Sequence, residues 1–419
     1  MIKIHTISEA ERALEAFITS SSPGKKYSLD RMRSLMNFLD NPQDKIKIIH
    51  VAGTSGKTST AYYCAALLKE AGHTVGLTVS PHIDKVSERA QINLCPLDDK
   101  SYCLELSTFL TLIEKSELSP SYFEVLIAFA FWIFYRHGVE YGVVEVGVGG
   151  LLDSTNVISS PDKVCIITDI GFDHMALLGT TLAEIAAQKA GIVHPHNTVF
   201  MYEQSREIVE VVDETCRKMG AALTLLNPKT SLKESPHLSQ FQQRNFNLAL
   251  TAVQQTLNKS FSAAQINKAS NTYIPARAEH IAYHGKTLIL DGSHNPQKLT
   301  ALVDSLPLND KEASSALLVS FGENKEVSIE ENLQILHKLS NSIIITAFSL
   351  GEGNPRKAIL PSSIENIAKK IGYTEIIVEP NPAKAFELLM KRDEKRTIVT
   401  GSFYLLNHIR PIVMATAKN

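Results

Sequence analysis

The sequence predicts an α/β protein of two domains, each a mainly parallel sheet covered by helices on both faces, and three observations carry that expectation. Short apolar runs of buried-strand type alternate with helical stretches along most of the chain. Several of these runs end in glycine or polar residues, as strands do where an open parallel sheet meets its loops. The alternation comes in two series, with the break between them near Tyr273 to Pro275, giving domains of residues 1–274 and 275–419.

In the first series, KIKIIHVAG reads as a strand ending at Gly53, after which Ala61, Cys64, Ala65 and Leu68 recur at helical spacing up to Gly72. TVGLTVS is a further strand running into Ser80, Pro81 and His82. The run from Val125 to Tyr135 is the most apolar in the chain, but it has about half the length of a membrane span and reads as a buried helix. Ser121 and Glu124 form a capping-box pattern in front of it. YGVVEVG and KVCIITDIG are two more buried strands. Polar residues from Leu226 to Phe241, with Pro228 and Pro236, read as a loop before the helical FNLALTAVQQTL. The second series has the strands TLILDG, SALLVSFG, SIIITAF, EIIVEP and RTIVTGS, separated by helical segments such as ENLQILHKL and AKAFELLMK; it reads as a smaller, Rossmann-like domain.

Composition narrows the function classes. The 419 residues are 44% hydrophobic and 21% charged with a net charge of -2, which offers no electrostatic case for nucleic acid or an anionic membrane. Small molecules are the expected partners and a monomer the expected state. Five scattered cysteines without a CxxC pair, and an N-terminus without a signal-peptide pattern, point to the reducing cytoplasm.

The chemistry-bearing segments sit after strands. HVAGTSGKTST places Gly53, Thr54, Ser55, Gly56 and Lys57 between a strand and a helix, where glycines expose backbone N–H groups to phosphate and the helix N-terminus faces the anion. This loop is shorter than the GxxxxGK form. Lys57 would neutralise outer phosphates, and a hydroxyl of Thr58 or Ser59 would join a magnesium shell. Glu145 closes an apolar strand, where a carboxylate needs a cation or hydrogen-bond donors; metal binding and the capping of loop amides stand as alternatives. Asp169, Asp173 and His174 follow another strand. Lys189 reads on spacing alone as a solvated lysine near a helix C-terminus. His294 reads as part of an Asp/Asn/Pro turn, and Arg277 as the partner of a phosphate or of a surface acid.

Taken in order, HVAGTSGKTST, SPHIDKVSERAQIN, SYFEVLIAFAF, EVGVGGLLDSTNVI, ITDIGFDHMALLGTTLAEIAAQKAGI, QFQQRNFNLAL, PARAEH, ILDGSHNP and GSFYLL resemble the folylpolyglutamate synthase/dihydrofolate synthase family of the Mur ligase superfamily, over nearly the whole chain. The resemblance implies a P-loop domain of the Mur ligase central type followed by the Rossmann-like domain. It also implies an ATP- and Mg2+-dependent ligase that adds glutamate to a pterin or folate carboxylate through an acyl phosphate. It implies phosphate contacts from the Gly53–Lys57 loop, magnesium ligands at Ser80, Glu145 and His174 with Thr58 or Ser59, and an N6-carboxylysine at Lys189. Lys57, His174 and Lys189 are the expected catalytic set. Asn245, Arg277, Asp291 and His294 are the expected nucleotide contacts, completed by closure of the domains. Substrate contacts are implied at Ser121, Tyr122, Phe123 and Glu124 and at Leu152, Asp153 and Ser154, although capping and core packing also account for the first group.

The sequence departs from the family pattern at Thr58 (in place of glycine), Leu151 (in place of arginine), PARAEH (in place of PGRLE), and Lys325 and Glu326 (in place of a lysine-aspartate pair). Two other readings therefore stand beside the folate one: a Mur-type ligase with another carboxylate acceptor, and a non-catalytic nucleotide-binding regulator. About forty residues precede the first P-loop strand, short for a separate UDP-binding domain, which disfavours a muramoyl acceptor.

Overall fold

The computed structural model describes residues 3–18, 28–228, 237–306, 315–323, 328–348 and 357–417, and the statements below concern these. Pro236, Lys325 and Glu326 lie outside them. The chain forms two compact units, Met1–Thr272 and Tyr273–Asn419.

In the first unit the strands are β1 (Lys47–Ala52), β2 (Val75–Thr78), β3 (Gln91–Ile92), β4 (Cys95–Pro96), β5 (Tyr141–Glu145), β6 (Val164–Ile167), β7 (Thr198–Tyr202) and β8 (Ala222–Leu226). They form one sheet in the order β4-β3-β2-β5-β1-β6-β7-β8. Every pairing from β2 to β8 across the sheet is parallel; only β2 with β3 and β3 with β4 are antiparallel. The central strands lack the alternation of a half-exposed strand because both faces are covered. On one face, the helix Tyr122–Arg136 packs with Asp99–Glu114 around Phe109, Phe129 and Trp132, whose rings lie 5.3 to 6.1 Å apart. The apolar run is thus a core helix, and no described helix is long and apolar enough to cross a membrane.

Strand β1 lies between β5 and β6, while the chain leaving β1 goes to β2, beyond β5. This reversal of winding opens a crevice at the carboxyl ends of β1, β5 and β6. The P-loop, Glu145 and Asp169 all emerge there.

The second unit contains β9 (Glu279–Tyr283), β10 (Lys286–Leu290), β11 (Ser315–Val319), β12 (Ser342–Ile345), β13 (Glu375–Val378) and β14 (Arg396–Thr400), in the order β13-β12-β11-β14-β10-β9. All pairings are parallel except β9 with β10. The entry to this unit is fixed by a buried ion pair: Arg410 Nε donates to Glu279 at 3.0 and 3.2 Å, and Glu279 also accepts from the Ala276 N–H at 2.8 Å.

Three histidines of the first unit are held neutral chiefly by burial: His50 well below its ordinary value, His194 at about 4 and His82 at about 3. Each native pKa lies below that of the unfolded chain, near 6.5, so each contributes stability that is present above about pH 6.5 and is lost as the pH falls below it. The denaturant midpoint of the protein should therefore fall between about pH 7.5 and 5. His194→Gln should lessen that fall, and a pH profile as steep as that of the parent protein would contradict the assignment.

Candidate active site

The P-loop is shaped by close approach. Gly53 has φ +148°, and a Cβ there would lie 1.8 Å from Thr168 Oγ1; at Gly56, φ +90°, it would lie 2.4 Å from Asn245 Oδ1. Only glycine allows both the conformation and the contacts. The loop is tied to the segment after β6: the N–H groups of Thr54 and Ser55 donate to the Asp169 carbonyl at 2.8 and 3.1 Å, and Thr54 Oγ1 donates to the Gly171 carbonyl at 2.9 Å. Asp169 is itself gripped by Arg244, whose Nε donates at 3.0 and 3.1 Å and whose Nη2 donates at 2.7 Å, with the guanidinium 3.9 Å from the centre of the Tyr202 ring. The Asp169 carboxylate is thus a structural partner of the loop's support, and Arg244, which no spacing in the sequence marks, is the neighbour of Asn245 on the helix Gln240–Leu257.

Helix Lys57–Glu70 starts at the loop, and two lysines meet at it. Lys57 Nζ donates to the Gly53 carbonyl at 3.1 Å, and Lys189 Nζ donates to the same oxygen at 2.9 Å. Lys189 is 3% exposed, so the solvated lysine expected from spacing alone is instead a buried neighbour of the phosphate loop. A helix C-terminus and a following glycine could not reveal this, because the contact spans the chain from Gly53 to Lys189.

Glu145 ends β5 at 3% exposure. Its Oε1 accepts from Thr58 Oγ1 at 2.8 Å and its Oε2 from the Ser80 N–H at 3.2 Å. A carboxylate, a threonine hydroxyl and the Ser80 segment thus converge beside the P-loop helix. These are hard oxygen donors of the kind magnesium takes together with phosphate and water. Ser59 is buried in the first turn of the helix. His174, in a left-handed conformation at φ 51°, has a side chain 39% exposed, with Nε2 3.9 Å from Asp173 Oδ1. Among the described residues no group of three or more His, Cys, Asp or Glu side chains gathers closely enough to hold a metal ion without other donors.

The expected substrate segments have firm structural partners. Glu124 accepts from the Ser121 N–H at 2.6 Å and from Arg31 Nε at 2.7 Å, so the capping reading accounts for both Ser121 and Glu124. Tyr122 and Phe123 are partly buried against the helical core. Asp153 accepts from the Val148 N–H at 2.8 Å, the Thr155 N–H at 3.0 Å and Thr155 Oγ1 at 2.6 Å; burial raises its pKa, and these bonds oppose the rise. Leu151 and Leu152 are 44% and 45% exposed. They line a pocket of about 510 Å³ with Ser28, Arg33, Asn156 and His194, and no P-loop residue borders it. Ser154 opens the short helical turn that follows.

In the second unit, Asp291 is buried and accepts from the Ala278 and Ser293 N–H groups, each at 2.7 Å. The Arg277 guanidinium lies 4.3 Å from the centre of the Phe403 ring. His294 bonds the Gly292 carbonyl through Nδ1 at 2.8 Å and Lys298 Nζ through Nε2 at 3.1 Å. The Asp/Asn/Pro turn is present: Asn295 caps the helix Pro296–Asp304.

A glycine-rich loop at a sheet switch point, with a buried strand-end carboxylate facing its helix, defines a P-loop site for a magnesium-bound nucleotide. Residues 51–253 match the Mur ligase middle domain, and residues 276–412 match the dihydrofolate synthetase C-terminal domain. The dihydrofolate synthase/folylpolyglutamate synthase of Bacillus subtilis is 28% identical, over 92% of this chain and 95% of its own. The dihydrofolate synthetase of Saccharomyces cerevisiae is 29% identical, over 93% and 99%. The folylpolyglutamate synthase of Mycobacterium tuberculosis complexed with ADP has the same fold, with a TM-score of 0.84 at 24% identity over 97% of this chain and 98% of its own. The chain belongs to the folylpolyglutamate synthase/dihydrofolate synthase family of ATP-dependent ligases.

Gly53→Ala should reduce the affinity for a non-hydrolysable ATP analogue by more than about tenfold, because the added Cβ displaces the loop from Thr168. Gly72→Ala, at φ +97° in open space, should lower stability and leave that affinity unchanged. Calorimetric titration of both variants checks the pair; equal affinities would refute the role given to the loop.

Proposed function

We propose that this ligase joins the amino group of L-glutamate to a carboxylate of a pterin-bearing acid, either dihydropteroate or a reduced folate, at the cost of ATP. The observation that carries the reading is the convergence of Lys57, Lys189, Thr58, Ser80 and Glu145 around one P-loop, in a chain similar end to end to enzymes of this name.

A carboxylate is a poor acyl donor until its oxygen is made a good leaving group. In the proposed reaction that oxygen attacks the γ-phosphorus of ATP, ADP departs, and the glutamate amine then displaces phosphate from the acyl carbon. The N–H groups of Gly56 and Lys57 at the start of the helix cradle the phosphates, those of Thr54 and Ser55 being taken by the Asp169 carbonyl, and Lys57 exchanges the Gly53 carbonyl for the outer phosphate oxygens. Glu145, Ser80, a hydroxyl of Thr58 or Ser59, and His174 would hold magnesium, which when bound offsets phosphate charge. Asn245 lies against the loop, and Arg277, Asp291 and His294 are assigned to the nucleotide. Tyr122, Phe123, Leu152, Asp153 and Ser154 are assigned to the pterin side, with Ser121 and Glu124 fixing the start of their helix. The five cysteines are free, in keeping with a reducing cytoplasm.

Lys189 is assigned an N6-carboxylate. Two ammonium groups on one carbonyl oxygen repel each other; converting Lys189 to a carbamate removes one cation, keeps an N–H for Gly53, and adds an anion beside the metal ligands. Lys189→Ala should lose most turnover and recover part of it with added acetate or propionate. A Lys189→Ala protein with full activity would reject the carbamate.

The exposed Leu151, where the family motif has arginine, favours a second reading in which the acceptor is another carboxylic acid. ADP release with Mg2+ and ATP, measured with dihydropteroate, tetrahydrofolate and a UDP-muramoyl peptide and followed by mass analysis, separates the two. A glutamyl adduct on neither pterin would overturn the first. Lys57→Ala and Glu145→Ala should each cut turnover by at least about 10²-fold with the thermal midpoint retained, and near-normal turnover in either would remove the proposed phosphate site.

A further inference from the structure

Arg89 closes the short helical turn Val86–Arg89, which follows the Ser80–His82 segment. Its guanidinium is partly buried, 5.9 Å from the centre of the Tyr122 ring, and its Nε donates to His82 Nδ1 at 2.8 Å. A guanidinium has five N–H groups, and among the described residues this one makes no ion pair.

The neighbouring acids are engaged elsewhere. Glu88 accepts from the N–H groups of Ile83, Asp84 and Lys85 at 2.8, 2.9 and 3.1 Å. Glu124 is taken by Arg31 and Ser121, and Glu145 by Thr58 and Ser80. Burial works against the charge on Arg89, while Tyr122, Tyr102, Glu145 and Glu88 favour it. A desolvated cation without a carboxylate partner is costly unless a ligand supplies the anion. Arg89 also lies between the two halves of the reaction: its guanidinium is 5.9 Å from the centre of the Tyr122 ring, on the proposed pterin side, and the Glu145 carboxylate, on the proposed phosphate side, is near enough to favour its charge.

We propose that Arg89 binds the carboxylate of the pterin-bearing acid that is to be phosphorylated, presenting it as a fork between Tyr122 and Glu145. Paired N–H donors fit the two oxygens of a carboxylate and keep one of them directed at phosphorus. His82 fixes the guanidinium plane by accepting from Nε, which leaves the terminal nitrogens for the substrate. The proposal rests on the glutamate-ligase reading above. The carboxylates of the incoming glutamate have the same chemistry, and the test separates them.

The full-length protein is assayed as wild type, Arg89→Met and Arg89→Lys. Michaelis constants are measured for the pterin acid, glutamate and ATP, and equilibrium binding is measured for the pterin acid and for its analogue with hydrogen in place of the carboxylate. Arg89→Met should raise the KM of the pterin acid about 10- to 100-fold, leave those of ATP and glutamate within about twofold, and bind the decarboxylated analogue as wild type does. Arg89→Lys should fall between the two. Equal loss of affinity for the acid and the analogue, or a rise in the glutamate KM alone, would overturn the proposal. If the methionine variant fails to fold, the ratio of acid to analogue affinity in Arg89→Lys decides: a ratio equal to that of wild type overturns the assignment. A wild-type protein that makes no glutamyl product defeats the functional reading itself, whereas an active wild type with an unchanged Arg89→Met KM defeats only this inference.

Discussion

The carbonyl oxygen of Gly53 is the point on which the catalytic half of the structure turns. It accepts from both Lys57 and Lys189, and it is turned toward them because Gly53 takes a conformation that a side chain would block against Thr168. That geometry is held from below by the Asp169 carbonyl and from the side by Arg244. A loop that must present its amides to a triphosphate cannot reorganise when the charge arrives, and its rigidity comes from the backbone bonds to the Asp169 carbonyl backed by the Arg244–Asp169 ion pair.

The sheet around this loop was legible because buried parallel strands have an unmistakable composition. β1, β5, β6, β10, β11, β12 and β14 are short apolar runs, and β1, β5, β6 and β10 lead straight into residues assigned to the site. Among the strands that complete the first sheet, β7 went unread although it is buried and parallel to both neighbours, and the others were missed for physical reasons. β8 is only partly buried at the sheet edge and carries little periodic signal, and β3 and β4 are two-residue pairings that depend on β2 for their existence.

The site divides in the same way. Residues bound to their sequence neighbours through a strand end or a glycine turn, such as Gly53, Lys57 and Glu145, could be picked from the chain alone. Lys189, Arg244 and Arg89 owe their surroundings to partners far away in sequence: Gly53 for the first, Asp169 for the second, and the ring of Tyr122 for the third. Family resemblance supplied Lys189 where residue physics pointed to solvent, and it left Arg89 and Arg244 unmarked.

The loop between β5 and β6 separates two properties that are often entangled. Asp153 secures it from within, through the Val148 amide and Thr155, and Thr155 passes the connection on to His50 in the buried middle of β1. Leu151 and Leu152 face outward from this latch and take part in none of those side-chain bonds. Drift at the two exposed positions can therefore proceed without unfastening the scaffold. Relatives that share the ATP machinery could diverge in the acid they accept by changing residues whose loss the fold does not register.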